Sequence, residues 1–364
     1  MPENYPSLHV LGSRQFGGAD QFYVRLVRAL HEAGQRVTAV NRAGSPVANA
    51  LAGTDVEQWQ LPLANQWDVW SIWRLRKLVA QRQPCIVQTY MGRATRLTRL
   101  PAKIRAVHIA RLGGYYKIDG YYRHAHAWIG NTQGVCDYLV KSGLPAECIY
   151  QIGNFVPEPS AIGEDRKAEL RRIHRVPEDA WVLFGLGRLI DIKGFDDLLQ
   201  ALSQLPAEVG GRPWVLLIAG DGPLLEPLQA LAHELGVEER VRWLGWQDPP
   251  DAFYALANAF VCPSRREALG NVILEAWNYR LPVVSTRTKG AVELIEEGRS
   301  GLLCECGDHG AMAGQIRNLL EATEEQRSSL GDAGHEYLQA RCSRAAILDA
   351  YLSLYRQLLA EHGG

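Results

Sequence analysis

Short apolar runs alternate with amphipathic stretches along almost the whole chain. LHVL (8–11), RVTAV (36–40), CIVQT (85–89), HAWIG (126–130) and ECIYQI (147–152) read as strands. A second series follows: WVLFGLG (181–187), WVLLIAG (214–220), VRWLG (241–245), AFVCP (259–263) and PVVST (282–286). Apolar strands separated by helix-length segments belong to parallel sheets covered on both faces. GNFVPEPSAIG (153–163), with two prolines, separates the two series and reads as a linker. The pattern predicts an α/β chain of two doubly wound, Rossmann-like domains, residues 1–157 and 164–342. After Gly314 the pattern is helical to the end, and a long amphipathic helix over about 343–364, containing RAAILDAYLSLYRQLLA, is expected to cross back and complete the first domain. Open α/β sheets bind ligands beyond the carboxyl ends of their strands, so two such sheets facing one another predict an interdomain cleft.

Composition narrows the class. A length of 364 residues with 47% hydrophobic and 22% charged residues fits a soluble two-domain protein. The start, MPENYPSLHV, lacks the basic flank and apolar stretch of a secretory signal, and no apolar run reaches bilayer-spanning length. Seven dispersed cysteines, with Cys304 and Cys306 an isolated pair, point to reduced thiols in the cytoplasm and away from a zinc site. The net charge of −1 is unevenly spread: from Val69 to Ile118 there is no Asp or Glu but eleven Lys and Arg. Trp67, Trp70 and Trp73 stand just before and within this stretch at three-residue spacing. On a helix they make an aromatic stripe beside basic side chains, a surface suited to anionic lipid headgroups. Core tryptophans beside solvated charges are an equal reading, because periodicity does not separate the two. No nucleic-acid-binding motif accompanies the charge.

The chemistry gathers in the second half. RREALGNVILE (265–275) puts Glu267 in a loop and Glu275 within an apolar helix, with Gly270 and Asn271 where that helix begins. An unpaired carboxylate in an apolar run is costly, so a polar partner is expected at Glu275. Were all eight steps helical, the two carboxylates would lie about 12 Å apart along the axis, roughly the reach of a nucleoside diphosphate carrying a sugar. Two structural alternatives stand beside this: Glu267 as a first-turn acid matched to the helix dipole, and Glu275 paired with Arg280 or another basic side chain. GLGRLIDIKGF (185–195) leaves a strand, turns through Gly185 and Gly187, and supplies Arg188 and Lys193, two cations able to grip a diphosphate. No Asp-x-Asp triplet, the usual acidic seat of a metal-bridged nucleotide sugar, occurs in the chain. Near the amino end, GSRQFGGAD (12–20) joins the first strand to a helix through Gly17 and Gly18; it lacks the dinucleotide glycine spacing but allows close approach to a phosphate at a helix start. IAGDGPL (218–224) and KGAVELIEEGRSGLL (289–303) are further glycine-marked strand ends and helix starts.

Taken in order, GRLIDIKG, IAGDGP, EALGNVILEAW and GAVELI resemble the retaining glycosyltransferases of family 4, of GT-B architecture. The resemblance runs from about Trp181 to Leu303 and thins in the first half to residues 17–40 and the region of HAHAWIGNT. It implies that Arg188 and Lys193 hold the donor diphosphate, Glu275 the ribose and Glu267 the transferred sugar's hydroxyls. It further implies backbone amides from Gly270, Asn271 and Val272, a place for Gly187 beside the diphosphate and Gly245 near the nucleobase, and a cap on the donor from Gly17 and Gly18. Where the family often carries a histidine followed by glycine, this chain reads VHIARLGGYY, which leaves Arg111 as the acceptor-side candidate.

The activity so implied is transfer of a hexose-type sugar from a nucleotide diphosphate to an acceptor hydroxyl with retention, without a protein nucleophile, metal or other cofactor. The expected partners are a nucleotide sugar, a glycan or glycolipid acceptor such as a lipopolysaccharide core, and an anionic membrane surface, with no nucleic acid. The expected location is the cytoplasm or the inner face of its membrane. Rival readings on the same architecture are a nucleotide-sugar epimerase, a glycosyl phosphorylase, or an inactive sugar-binding protein at a membrane surface.

Overall fold

The computed structural model of the chain describes residues 4–101 and 103–362. It divides into two compact units, Met1–Pro157 with Arg341–Gly364, and Glu158–Ala340.

The first unit is built on seven parallel strands: β1 (Ser7–Leu11), β2 (Val37–Arg42), β3 (Glu57–Leu61), β4 (Ile86–Tyr90), β5 (Val107–Leu112), β6 (Ala127–Gly130) and β7 (Ile149–Gln151). Their order is β3-β2-β1-β4-β5-β6-β7, with Ser7 in register with both Val37 and Ile86. Inner strands such as β1 and β4 are buried along their whole length, which is why they read as continuous apolar runs. β3, EQWQL, is an edge strand with one buried residue; its polar sequence hid it from pattern reading. The Gly18–Glu32 helix buries Phe22, Tyr23, Leu26, Val27 and Leu30 at helical spacing against the sheet. The Arg344–His362 helix adds Ile347, Tyr351, Leu354, Tyr355 and Leu358 to the same core. Tyr355 donates from its hydroxyl to Gln88 Oε1 on β4 at 2.7 Å.

The second unit repeats the plan with β8 (Trp181–Leu186), β9 (Glu208–Val209), β10 (Arg212–Ala219), β11 (Val241–Gly245), β12 (Ala259–Cys262), β13 (Val283–Thr286) and β14 (Leu302–Cys304). The parallel order is β11-β10-β8-β12-β13-β14, with the short β9 antiparallel on β10. Neither β9 nor β14 carries a run long enough to be read as a strand from sequence. In each sheet the chain winds outward one way from the first strand and then returns to wind the other way. The reversals fall between β1 and β4 and between β8 and β12, and at such points the loops diverge and leave a crevice at the strands' carboxyl ends.

Candidate active site

At the β8/β12 reversal, β8 runs into Gly187 and Arg188, a short 3-10 turn over Asp191–Lys193, and Gly194, whose φ of +64° is left-handed. A Cβ on Gly194 would lie 2.1 Å from the Pro263 carbonyl oxygen, so only glycine lets this turn reach the end of β12. Gly220, at the end of β10, is held as tightly: its Cβ would fall 1.8 Å from the Gly187 carbonyl oxygen. The Gly187 amide donates to Ala219 at 3.0 Å and the Gly220 amide to Gly245 at 2.8 Å. Gly187, Gly220 and Gly245 therefore form one backbone rim along the carboxyl ends of β8, β10 and β11.

Over this rim Lys193 and Glu267 form an ion pair. The lysine stem passes over Gly187, and Ser264 donates its hydroxyl to the same carboxylate oxygen at 2.9 Å. The two charged side chains are only 18% and 16% exposed, so the pair is shielded from water far more than a surface salt bridge. Glu267 is fixed from behind as well: its carbonyl accepts from the Gly290 amide at 3.1 Å, and a Cβ on Gly290 would lie 2.4 Å from the Leu269 carbonyl oxygen. The sequence alternative of Glu267 as a first-turn helix acid is thereby corrected; it lies in the loop and faces a lysine.

Arg265 stitches the two loops together. Its guanidinium reaches Asp196 at 2.6 Å, Asp197 at 2.8 Å and Asp191 at 3.0 Å, and its amide donates to the Ile192 carbonyl at 2.9 Å. Hydrogen bonding to Asp196 is the main reason its pKa is pushed above the ordinary arginine value. His309 Nε2 lies 2.9 Å from Asp197 on the other side. Pattern reading overlooked this support; the doublets Arg265–Arg266 and Asp196–Asp197 beside the singled-out residues were its only signal.

The Asn271–Asn278 helix leaves the loop through Gly270, at a left-handed φ of +91°, and no side chain caps its start. Asn271 and Val272 are its first two residues, so the positive end of its dipole lies next to Glu267. Because the helix begins only at Asn271, the all-helical 12 Å spacing does not apply. Glu275 does have a polar neighbour: the Tyr254 hydroxyl donates to it at 3.2 Å, while that ring stacks on Tyr279 with centroids 5.6 Å apart. Arg280 pairs with Asp332 instead. Arg188 is exposed and forms no ion pair among the described residues. The second unit thus carries Gly187, Arg188, Lys193, Gly245, Glu267, Gly270, Asn271, Val272 and Glu275 on the carboxyl-end side of one sheet. Of the four charged members, Lys193 and Glu267 are in mutual contact.

Gly17, Gly18 and Arg111 belong to the first unit. Gly17 is the residue before the Gly18–Glu32 helix, and its amide donates to Asp20 Oδ2 at 2.8 Å. The other Asp20 oxygen is buried without a hydrogen-bond partner, and burial pushes the Asp20 pKa up. Asp20 thus caps this helix start through the Gly17 amide. Arg111, at the end of β5, is 2% exposed. It donates to the Tyr351 hydroxyl at 2.9 Å and to Asn154, and its guanidinium lies 4.0 Å from the Phe22 ring centroid. Its observed work is to fasten the last helix to β5. Among the described residues, no group of three or more His, Cys, Asp or Glu side chains is placed to hold a metal ion.

Comparison with known proteins matches residues 16–158 to the family "Glycosyltransferase Family 4" and residues 166–337 to "Glycosyl transferases group 1". The lipopolysaccharide core biosynthesis glycosyltransferase LpsE of Rhizobium meliloti is 35% identical over 349 residues, covering 93% of this chain and 95% of that one. The chain is a family 4 glycosyltransferase. Solved structures agree on its GT-B fold: a glycosyltransferase from Rickettsia africae has a TM-score of 0.86 at 18% identity, covering 98% of this chain and 99% of its own. HepE of Anabaena, in complex with UDP and glucose, has a TM-score of 0.83 at 19% identity, covering 97% of this chain and 100% of its own. In this family 4 transferase the group 1 match lies inside the second unit and contains the whole Lys193–Glu267 cluster. The family 4 match begins at Phe16, one residue before the glycine pair.

Proposed function

We propose that this transferase moves a hexose-type sugar from a nucleotide diphosphate onto a hydroxyl of a lipopolysaccharide core or another lipid-linked glycan. In this reading, transfer occurs with retention of configuration and without a bound metal, at the cytoplasmic face of a membrane. The observation that carries it is the shielded Lys193–Glu267 pair at the β8/β12 reversal, beside the exposed Arg188 and an uncapped helix start. Two cations and a helix dipole meet the charge that grows on a departing diphosphate. Glu267, held on one oxygen by Lys193 and Ser264, suits orienting sugar hydroxyls better than attacking the anomeric carbon. The bond from the anomeric carbon to the diphosphate oxygen breaks, the acceptor oxygen bonds that carbon on the same face, and the acceptor's proton passes to the departing phosphate oxygen. Glu275 and Tyr254 take the ribose hydroxyls, with Gly245 near the base. The lipopolysaccharide assignment is supported by the named role of the Rhizobium relative.

The test is a panel of UDP-, GDP- and ADP-sugars with a lipopolysaccharide-core acceptor, the anomeric configuration of the product being read by NMR with and without a chelator. The proposal expects a product with the donor's configuration and a rate indifferent to chelation. An inverted product overturns retention, and activity lost to the chelator but restored by a divalent cation overturns metal independence. Sugar isomerised without acceptor, or a requirement for inorganic phosphate, selects one of the rival reactions.

A further inference from the structure

The Val69–Arg82 helix settles what its sequence left open. It turns Ser71, Leu75, Leu78 and Val79 inward, against the part of the core that holds Val40, Leu61 and Leu63. Its tryptophans point the other way: Trp70 is 48% exposed and Trp73 55%, while Trp67 in the preceding loop is 68% and Val69 74%. Indoles so exposed contribute nothing to the core and leave a contiguous apolar face in water, the mark of an interaction surface. Residues 70, 73, 74 and 77 share one helical face. Arg74 lies 4.5 Å from the Trp70 ring centroid, Lys77 Nζ 5.5 Å from that of Trp73, and Arg96 4.2 Å from that of Trp67. Each indole is thus covered by a cation that forms no ion pair with a carboxylate among the described residues. The nearby acids are already engaged: Asp68 caps the helix through Ser71, and Glu57 pairs with Arg82.

Beside this face, between β3 and the helix, lies a surface cavity of ≈ 130 Å³ with Trp59, Leu61 and Leu78 as apolar walls and Arg74, Lys77 and Gln81 as polar ones. Two cations and an amide over an apolar floor match a phosphate that carries a hydrocarbon chain. The loop bearing Trp67 is braced: Arg96 donates to the Gln66 carbonyl at 3.1 Å, and Arg93 bridges the carbonyls of Leu63 and Gly12. The last contact ties the tryptophan face to the carboxyl end of β1, where the Gly17 loop begins.

We infer that the Trp67–Trp70–Trp73 face is a docking surface for an anionic lipid bilayer, with the Arg74–Lys77 cavity seating a lipid phosphate. The indoles enter the headgroup layer, where an apolar ring with a polar edge is most favourable, and the surrounding cations meet the negative surface. No described helix is long and apolar enough to cross a membrane, so attachment by this route is peripheral. Resting on the lipid-linked acceptor proposed above, the docked face delivers that acceptor to the β1/β4 end of the first sheet.

Co-sedimentation of the full chain with vesicles tests the inference. Vesicles of phosphatidylglycerol and phosphatidylcholine in equal parts are compared with phosphatidylcholine alone, at low and high salt. The wild type is expected to sediment with the anionic vesicles only, with a blue shift in tryptophan emission. The variants Trp67→Ala/Trp70→Ala/Trp73→Ala and Arg74→Gln/Lys77→Gln are each expected to bind roughly tenfold or more weakly. All five replaced side chains are exposed, so an unchanged melting temperature accompanies the loss. Absence of binding by the wild type, or binding as tight as the wild type's by both variants, overturns the inference. So does binding lost with salt but indifferent to the tryptophans, or tighter binding to duplex RNA than to vesicles. Nucleotide-sugar binding measured on the same samples keeps the questions apart: vesicle binding without donor binding sinks the proposed reaction and leaves the docking surface standing.

Discussion

Lys193 and Arg188 carry the same charge and the same proposed duty, yet their surroundings give their removal different consequences. Arg188 is exposed and pairs with no described acid, so Arg188→Ala is expected to lower turnover about 10²- to 10³-fold, the usual cost of losing one transition-state donor, with an unchanged melting temperature. Lys193→Ala leaves the shielded Glu267 with Ser264 as its remaining donor, so that variant loses stability as well as rate. Paired steady-state kinetics and thermal melts check the contrast; a larger melting-temperature drop for Arg188→Ala than for Lys193→Ala contradicts it. Gly220→Ala is a purely steric probe. Its Cβ would lie 1.8 Å from the Gly187 carbonyl oxygen, so the turn carrying Arg188 must shift. Loss of folded protein, or of donor binding in what folds, is the expected outcome.

The loops, more than the strands, decide how the site is set. Arg265 draws Asp191, Asp196 and Asp197 toward the β12 loop, and Asp197 is nearly inaccessible, with one oxygen unpartnered even in the intact chain. Arg265→Ala is expected to destabilise the second unit by about 2–3 kcal/mol, the scale of a lost charge-assisted hydrogen bond that strands a buried acid. Denaturant unfolding of the wild type and variant measures it, and a change under about 0.5 kcal/mol, the ordinary surface range, contradicts the role. Strands buried on both faces were legible as apolar runs, whereas β3 was not, because an edge strand alternates polar residues with few buried ones. Glu267 and Lys193 were legible through their glycine-rich settings. Their direct pairing was not, since 74 residues separate them in sequence and only the β8/β12 adjacency brings them together. Nor could periodicity tell a buried tryptophan stripe from an exposed one; that depended on which face of the Val69–Arg82 helix the sheet claims.

Across the whole molecule the two units differ in their response to acid. In the first, burial lowers His9 from the ordinary 6.5 to about 3 and carries His108 well below its usual value, with His124 and His126 also lowered. A histidine held neutral in the fold takes its proton only on unfolding, so stability is intact above pH 6.5 and falls as pH drops toward 3, by up to about 1.4 kcal/mol per pH unit for each such group. Asp20, with its raised pKa, acts in the opposite sense. In the second unit His174 is lowered by burial in the same way. Acid titration followed by hydrogen exchange should therefore show the first unit opening at the higher pH; opening of the second unit first contradicts this. The proposed reaction requires the second unit's β8/β12 cluster to grip a nucleoside diphosphate. Calorimetric titration of the full chain with UDP, GDP and ADP, in the wild type and Arg188→Ala, measures that grip. One nucleotide should bind the wild type and bind the variant roughly tenfold to a hundredfold more weakly; equal affinity in both, or no binding of any of the three, would contradict it.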